Sequence, residues 1–516
     1  MKLLKLYFAI FAMVVAMASC SEAWLDKSKP NGSVVTQEQY DELDGTMAAH
    51  TNGLYTLMDM SNGSSHDYFG QKSIDIACDL LSSDMAITNQ GYGWFETDAT
   101  LTTWQQSASR NSFIWAYYYR IIKNCNVLLT RINNEGTLES SEEVQGYYAQ
   151  ALTMRGFAYY NLYILYGQSL TQLGGDPARL AETDLVPYYN ERSRVDSAVS
   201  LSSMEDIAGM IESDLTTAMD YFEKSGFDRQ NDKQRFDYYV AEAYLAKLLL
   251  EIGRYDEAFD YAADVCDNSG YTIIPLSEVT DNGFNDIEDN SWIWGRNVDA
   301  NNRGALRSFW GHIDVHTYSY AFSGAYKAID KLLYDSIPDN DVRKGWFSEM
   351  RNLCPVYKFF PVGKKEAYTA AEIDRDWLSD DVLLRIEEMY LVTAESAARN
   401  NDVTNARAYL KKLVEQRYST DGGQTADAAE LAEIDAMDIS TMIDGENSRL
   451  YYEWRIELWG EGRSLNVFKR FNPVTKNRGD NHFSYSQGTR TAEPVVFQIP
   501  SAELYYNLNL RDYYNL

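Results

Sequence analysis

The stretch AEAYLAKLLLEIGRYDEAFDYA, residues 241–262, and its counterpart EEMYLVTAESAARNNDVTNARAYL, residues 387–410, decide the fold. Each opens with apolar and small residues recurring at helical spacing. Each then breaks, at Gly253 in the first and at Asn400-Asn401 in the second. Each resumes as a helix shortly before an alanine, Ala258 or Ala406. Small side chains let the two helices approach closely. This is a degenerate tetratricopeptide-like hairpin, and such hairpins bury their apolar faces by stacking on one another. Residues 111–131 and 144–166 supply a third: Phe113, Ile114, Tyr117, Ile121 and Leu128 fall at helical spacing. The expected fold class is mainly α, built of stacked helical hairpins with a few short strands.

The regions between differ. Residues 60–105 and 270–380 are rich in Gly, Asn, Asp, Ser and Trp, and short apolar runs such as 292–294 read as isolated strands. Long insertions between rigid elements commonly carry binding function. No low-complexity linker divides the chain. The expected organisation is a single domain over 20–516, with a helical scaffold at about 35–270 and 380–516. The ligand-facing insertions are expected at about 60–105 and 270–380.

The N-terminus reads as a leader. Lys2 and Lys5 precede an apolar run at 6–16, and the run Met17-Ala18-Ser19-Cys20 closes it. The run is too short to span a bilayer, which takes roughly 20 apolar residues. A cysteine at this point marks a bacterial lipoprotein signal: residues 1–19 are removed and Cys20 carries the lipid. Multiple acyl chains anchor stably where one binds only marginally.

Composition narrows the function further. The 76 acidic against 46 basic residues give a net charge of −30, which excludes phosphate-backbone binding and polybasic docking on lipid. Cys78, Cys125, Cys266 and Cys354 are far apart with no CxxC. A zinc site or disulfide framework is not indicated, and mostly buried thiols are expected, with a single disulfide left open. The 39 Tyr, 11 Trp and 20 Phe are the unusual counts. A ring with a polar tip suits sugar binding, because the C–H face of a pyranose stacks while its hydroxyls find polar neighbours. Most single tyrosines are nonetheless ordinary packing residues.

Glu453, Glu457 and Glu461 recur every four residues. A glycosidase needs two carboxyls about 5–9.5 Å apart, but Arg455, Arg463 and Arg470 are interleaved with these acids. Arginine pairs bidentately with carboxylate, so a structural ion-pair network of Glu453, Arg455, Glu457, Glu461 and Arg463 is the expected role. His312 and His316 stand four apart without an HExxH motif. No GxSxG elbow, P-loop or dinucleotide glycine motif stands out, and no catalytic residue is assigned.

Several motifs, in order, carry a resemblance. Cys20 is followed by Trp24-Leu25-Asp26 and Pro30; FIWAYYYRIIKNCNVLL offers Trp115, Tyr119, Ile122, Asn124 and Asn126. AQALTMRGFAYYNLYILYG offers Arg155, Leu162 and Gly167, and LLRIEEMYLVTAESAAR offers Arg385, Tyr390, Leu391, Ala394 and Glu395. YYEWRIELWGEGRSLNVFKR offers Glu453, Arg455, Glu457, Leu458, Glu461, Gly462, Arg463 and Arg470; Trp454 and Asn466 depart from the usual Arg and Asp. The chain closes on FQIPSAELYYNLNL. Almost end to end it resembles the SusD/RagB family of outer-membrane, glycan-binding lipoproteins.

The resemblance implies a non-catalytic cell-surface lipoprotein, held in the outer membrane through Cys20. It would bind an oligosaccharide and deliver it to a SusC-like TonB-dependent barrel transporter, with no nucleic acid partner. It implies no cofactor, apart from structural calcium as an open point. A peptide-binding RagB-like receptor, a surface glycoside hydrolase and a purely structural scaffold are the alternatives. The family's sugar site is a shallow arc of aromatics that no invariant motif fixes. By position, two clusters fit: Asp84, Asn89, Tyr92, Trp94 and Phe95, and Arg307, Trp310, His312, Tyr318 and Tyr320.

Overall fold

A computed structural model describes residues 45–59, 65–193, 198–281, 284–360, 378–471 and 474–511. Cys20 and the leader lie outside them. Residues 51–516 group as one unit, separate from 1–50.

The helices follow the sequence periodicity closely. They are α1 (Gln71–Ser82), α2 (Ser109–Glu135), α3 (Glu142–Tyr166), α4 (Met204–Ser225), α5 (Tyr238–Ile252), α6 (Tyr255–Asn268), α7 (Ile386–Arg399), α8 (Val403–Val414), α9 (Arg449–Glu457) and α10 (Ser464–Phe471). From α2 to α8, each helix packs on the next. The starts are capped: Ser141, Ser203, Asp237 and Asp402 each accept a hydrogen bond from a first-turn backbone N–H. Such a cap is worth about 1 kcal/mol. The two hairpin turns that align in sequence also align in conformation. Gly253 has φ +84° and Asn401 φ +59°, a left-handed state that Asn tolerates better than most side chains. Close approach is literal at Gly156, where a Cβ would meet Leu215 at 2.9 Å.

The helical scaffold expected to resume at about 380 opens instead on a strand. Residues 381–385 form a strand, and α7 begins only at Ile386. The apolar run at 292–294 is likewise no isolated strand. Calling Trp292–Arg296 β2 and Asp381–Arg385 β4, the two pair antiparallel, Trp292 opposite Arg385 and Arg296 opposite Asp381. A second pair joins β1 (Met85–Ile87) to β3 (Lys327–Ile329). These pairings close the long excursion between α6 and α7, which nevertheless pack side by side. The excursion packs into a core shared with α1, the turn after it and α9: Ile76, Leu80, Phe95, Trp292, Trp310, Trp346, Phe359 and Trp459 belong to one buried cluster. The insertions expected to face ligand therefore face largely inward.

The arginine–glutamate network is structural and more buried than a helical face would suggest. Glu457 Oε1 accepts from Arg385 Nη1 at 2.7 Å and from Arg417 Nη2 at 2.9 Å; its Oε2 accepts from Arg417 Nε at 2.8 Å and Arg343 Nη1 at 3.1 Å. Glu461 pairs with Lys358 at 2.8 Å and Arg385 at 3.0 Å, and Glu453 with Arg343 at 2.7 Å. The interleaved arginines do not serve these acids, which corrects the sequence reading of their partners. Arg455 pairs with Asp84 at 2.6 Å, Arg463 with Glu388 at 2.9 Å and Arg470 with Glu395 at 2.8 Å. Arg455 is two residues from Glu453 and from Glu457, so on α9 it faces away from both; α9 then ends at Glu457, and the turn with Gly460 and Gly462 at φ +81° takes Glu461 and Arg463 off that helix.

All four described cysteines beyond the leader, Cys78, Cys125, Cys266 and Cys354, are buried and free, and burial pushes their thiols up.

Removing Glu457 strands three buried guanidinium groups, which costs about 3–5 kcal/mol in comparable pairs. Glu457→Ala is expected to lower unfolding free energy by that order in urea titration; an unchanged midpoint would refute the role. Burial would raise the Glu461 carboxyl, but Arg385 and Lys358 outweigh it and hold it down to about 2. A depressed acid gives its full stabilisation above its unfolded value near 4.5 and loses it as pH falls toward 2. Glu461→Gln is therefore expected to flatten the stability–pH curve between about pH 4.5 and 2.

Candidate functional site

The two clusters singled out by position do meet, but only in part. The turn NQGYGW at 89–94 holds the first. Asn89 Oδ1 accepts from Gly91 N at 3.1 Å, and Gly93 N donates to Gln90 O at 2.9 Å. Gly91 at φ +53° and Gly93 at φ +78° bracket Tyr92. Two left-handed residues around one side chain push it outward, and Tyr92 is 67% exposed. The second cluster follows the short helix Phe309–Ile313, capped by Ser308. Tyr318 emerges from this loop 58% exposed.

Between them lies a floor of rings. The Tyr92 ring meets Tyr320 edge-on at 5.4 Å, and Trp94 meets Tyr320 at 6.0 Å. His66 stacks on Trp94 at 5.3 Å, with the planes 7° apart. Tyr320 Oη lies 2.7 Å from His66 Nδ1. Burial and the nearby Arg307 charge lower the His66 pKa, which favours the neutral ring in this stack. The Tyr320 hydroxyl is raised by burial. Tyr92, Trp94 and Tyr320, with His66, thus form a shallow aromatic platform with polar tips, while Tyr318, two residues before Tyr320, turns its ring to Phe322 at 6.5 Å. Trp94 Nε1 has no hydrogen-bond partner there.

Four of the expected contact residues belong elsewhere. Asp84 is buried and held by Arg455 and by Lys476 at 2.7 Å, which outweigh burial and depress its pKa. It is part of the ion-pair framework. Phe95 and Trp310 lie in the core cluster. His312 is fully buried, stacked between Phe69 at 5.4 Å and Tyr320 at 4.9 Å, with Nε2 2.7 Å from His66 O. Burial, then Lys327, holds its ring well below the ordinary histidine range. His312 is corrected from ligand contact to wall. Asn89 stays exposed but spends its carboxamide oxygen on the turn. His66 was not foreseen: nothing in its sequence neighbourhood signals that Trp94 will cover it.

Family models match over 23–250 ("Starch-binding associating with outer membrane") and over 350–514 ("SusD family"). Together they span most of the chain. A SusD-like carbohydrate-binding protein from Bacteroides vulgatus superposes with TM-score 0.69 at 22% identity, covering 91% of this chain and 97% of that one. A SusD superfamily protein from Bacteroides thetaiotaomicron gives TM-score 0.69 at 21% identity, covering 90% and 98%. A laminarin-binding SusD-like protein gives 0.61 at 16%, covering 89% and 97%. No curated protein matches. Stacked helical hairpins with a ring platform on their insertions define the class, and the chain belongs to the SusD/RagB family. Among the described residues, no helix is long and apolar enough to cross a membrane.

Core and platform aromatics should separate experimentally. Trp310→Ala is expected to cost about 3–5 kcal/mol of stability, whereas Tyr92→Ala should stay within about 0.5 kcal/mol. Denaturant titration of the two variants measures both; equal losses would contradict the assignment.

Proposed function

We propose that this protein is a non-catalytic, cell-surface glycan receptor, anchored to the outer membrane through Cys20. It would pass captured oligosaccharide to a TonB-dependent barrel transporter. The observation that carries the reading is the platform itself: Tyr92 stands exposed against the Tyr320 ring that Trp94 also meets, and Tyr318 is exposed two residues before Tyr320. Flat apolar faces flanked by phenol hydroxyls match the two chemistries of a sugar ring. An exposed apolar surface of this kind is otherwise unfavourable to keep. The laminarin-binding relative supports a glycan as the ligand class.

The absence of bond chemistry rests on the carboxylates. The three glutamates that suggested a hydrolase are buried against guanidinium groups, so they are not a free acid and base beside the platform. A glycosidase would keep one carboxyl protonated near neutral pH; Glu457 and Glu461 are held the other way.

The protein without its leader is expected to be retained in affinity gels cast with at least one neutral polysaccharide. It should release no new reducing ends from it. Each exposed ring contributes about 0.5–1.5 kcal/mol, so Tyr92→Ala and Tyr318→Ala should each weaken binding about 2- to 10-fold with folding intact. Undiminished retention in both variants would remove the platform. Separately, Cys20→Ala is expected to shift the protein out of the membrane fraction and to abolish palmitate labelling.

A further inference from the structure

Beside the platform, behind the Phe69–His312–Tyr320 stack, the structure contains a cleft. It has two lobes, of about 270 and 230 Å³. The lobes adjoin, because Met58, Asp59, Arg296, Asn302 and Leu383 line both. Together they fall within the roughly 300–1,000 Å³ typical of small-molecule sites. Phe69 and Arg307 line the larger lobe. Phe69 is also the outer ring of the stack that ends on Tyr320, and Arg307 acts on the His66 ring. The cleft therefore adjoins the platform through two shared side chains.

Its floor is built, not incidental. Arg296 sits opposite Asp381 at the end of the β2–β4 pair and bonds it through Nε at 3.0 Å and Nη2 at 2.9 Å. Arg296 Nη1 also bonds Asp59. Lys72 and Arg307 in the larger lobe and Asp232 and Arg235 in the smaller add to Arg296 and its two carboxylates, so the lining carries both signs and offers donors and acceptors together, as a neutral polyol requires. Asp381 Oδ1 accepts no hydrogen bond, and a buried acceptor left unpaired costs about 1–3 kcal/mol. Asp59 and Arg296 keep 26% and 17% of their side chains accessible. The walls are mostly polar, with amide groups from Gln71, Gln234 and Asn302, and the nearly buried Trp294 and Met58 lie behind them.

From this geometry we infer that the cleft is a second sugar subsite, taking a neutral hexose unit of a glycan whose neighbouring units lie on the platform. Asp59 and Arg296, the open pair of the floor, meet the hydroxyls together with the amides of Gln234 and Asn302. This rests on the reading of the protein as a glycan receptor.

The test compares short and long chains. Calorimetry would use disaccharides and hexasaccharides of α-1,4-, β-1,3- and β-1,4-linked glucose, β-1,4-linked mannose and β-1,4-linked galactose, with oligogalacturonide as the anionic probe. Thr56→Trp fills the cleft mouth from an exposed helical position, and Asp381→Asn alters the floor acceptor while keeping its shape. The wild type should bind at least one neutral hexasaccharide more tightly than its disaccharide. Both cleft variants should weaken that hexasaccharide about 5- to 10-fold and leave the disaccharide within about 2-fold, with unchanged thermal unfolding for Thr56→Trp. Tyr92→Ala should weaken both. Hexasaccharide binding that is unaffected by both cleft variants but lost in Tyr92→Ala would overturn the cleft and leave the platform. Cleft-dependent binding of oligogalacturonide alone would overturn the neutral class. Binding of none of these probes would overturn this inference, and failure on every affinity gel as well would take the receptor reading with it.

Discussion

Everything in this fold depends on how a strongly acidic chain buries its charges. Glu457 has no exposed side-chain surface, and three guanidinium groups surround it. Taking a carboxylate out of water carries an idealised cost of order 20 kcal/mol, and only good geometry with several partners offsets it. The partners come from four places in the chain: Arg343 from the long excursion, Arg385 from the end of β4, Arg417 just beyond α8, and Glu457 itself from α9. The site cannot assemble unless these segments arrive together. The network thus specifies the packing of the excursion on the helices more than it adds raw stability. Asp84 repeats the arrangement one layer away, where Arg455 and Lys476 fix the segment that leads into the platform.

Helices were legible because their signals are local. Small residues, periodic apolar positions and turns at Gly253 and Asn401 all act over a few residues, and the structure follows them almost to the residue. The strand at 381–385 was missed because five apolar and charged residues feeding a helix carry the same periodicity as its first turn. Only pairing with 292–296 decides between them. The interleaved arginines misled for a related reason: spacing predicts which residues share a face, and the turn with Gly460 and Gly462 takes Glu461 and Arg463 off the helix.

The site was half legible. Tyr92 and Tyr318 could be placed outside because glycines and polar residues surround them, and local backbone geometry does push Tyr92 into solvent. Trp310 and His312 have equally polar sequence neighbours yet lie inside, because the insertion folds back onto a core that α1 and α9 also line. No local pattern separates a loop that covers a protein from one that fills it. His66 joins the platform through a tertiary contact with Trp94 alone.

The four cysteines beyond the leader give the fold a direction in time. Each thiol is sealed in apolar surroundings and kept protonated, so none attacks a neighbour while the chain stays folded. Unfolding in an oxidising medium would release all four at once, and a wrong crosslink formed during a long-lived opening would bar the return to the folded state. For such a molecule persistence is a matter of how seldom it opens, because an opening that lasts long enough is a one-way event.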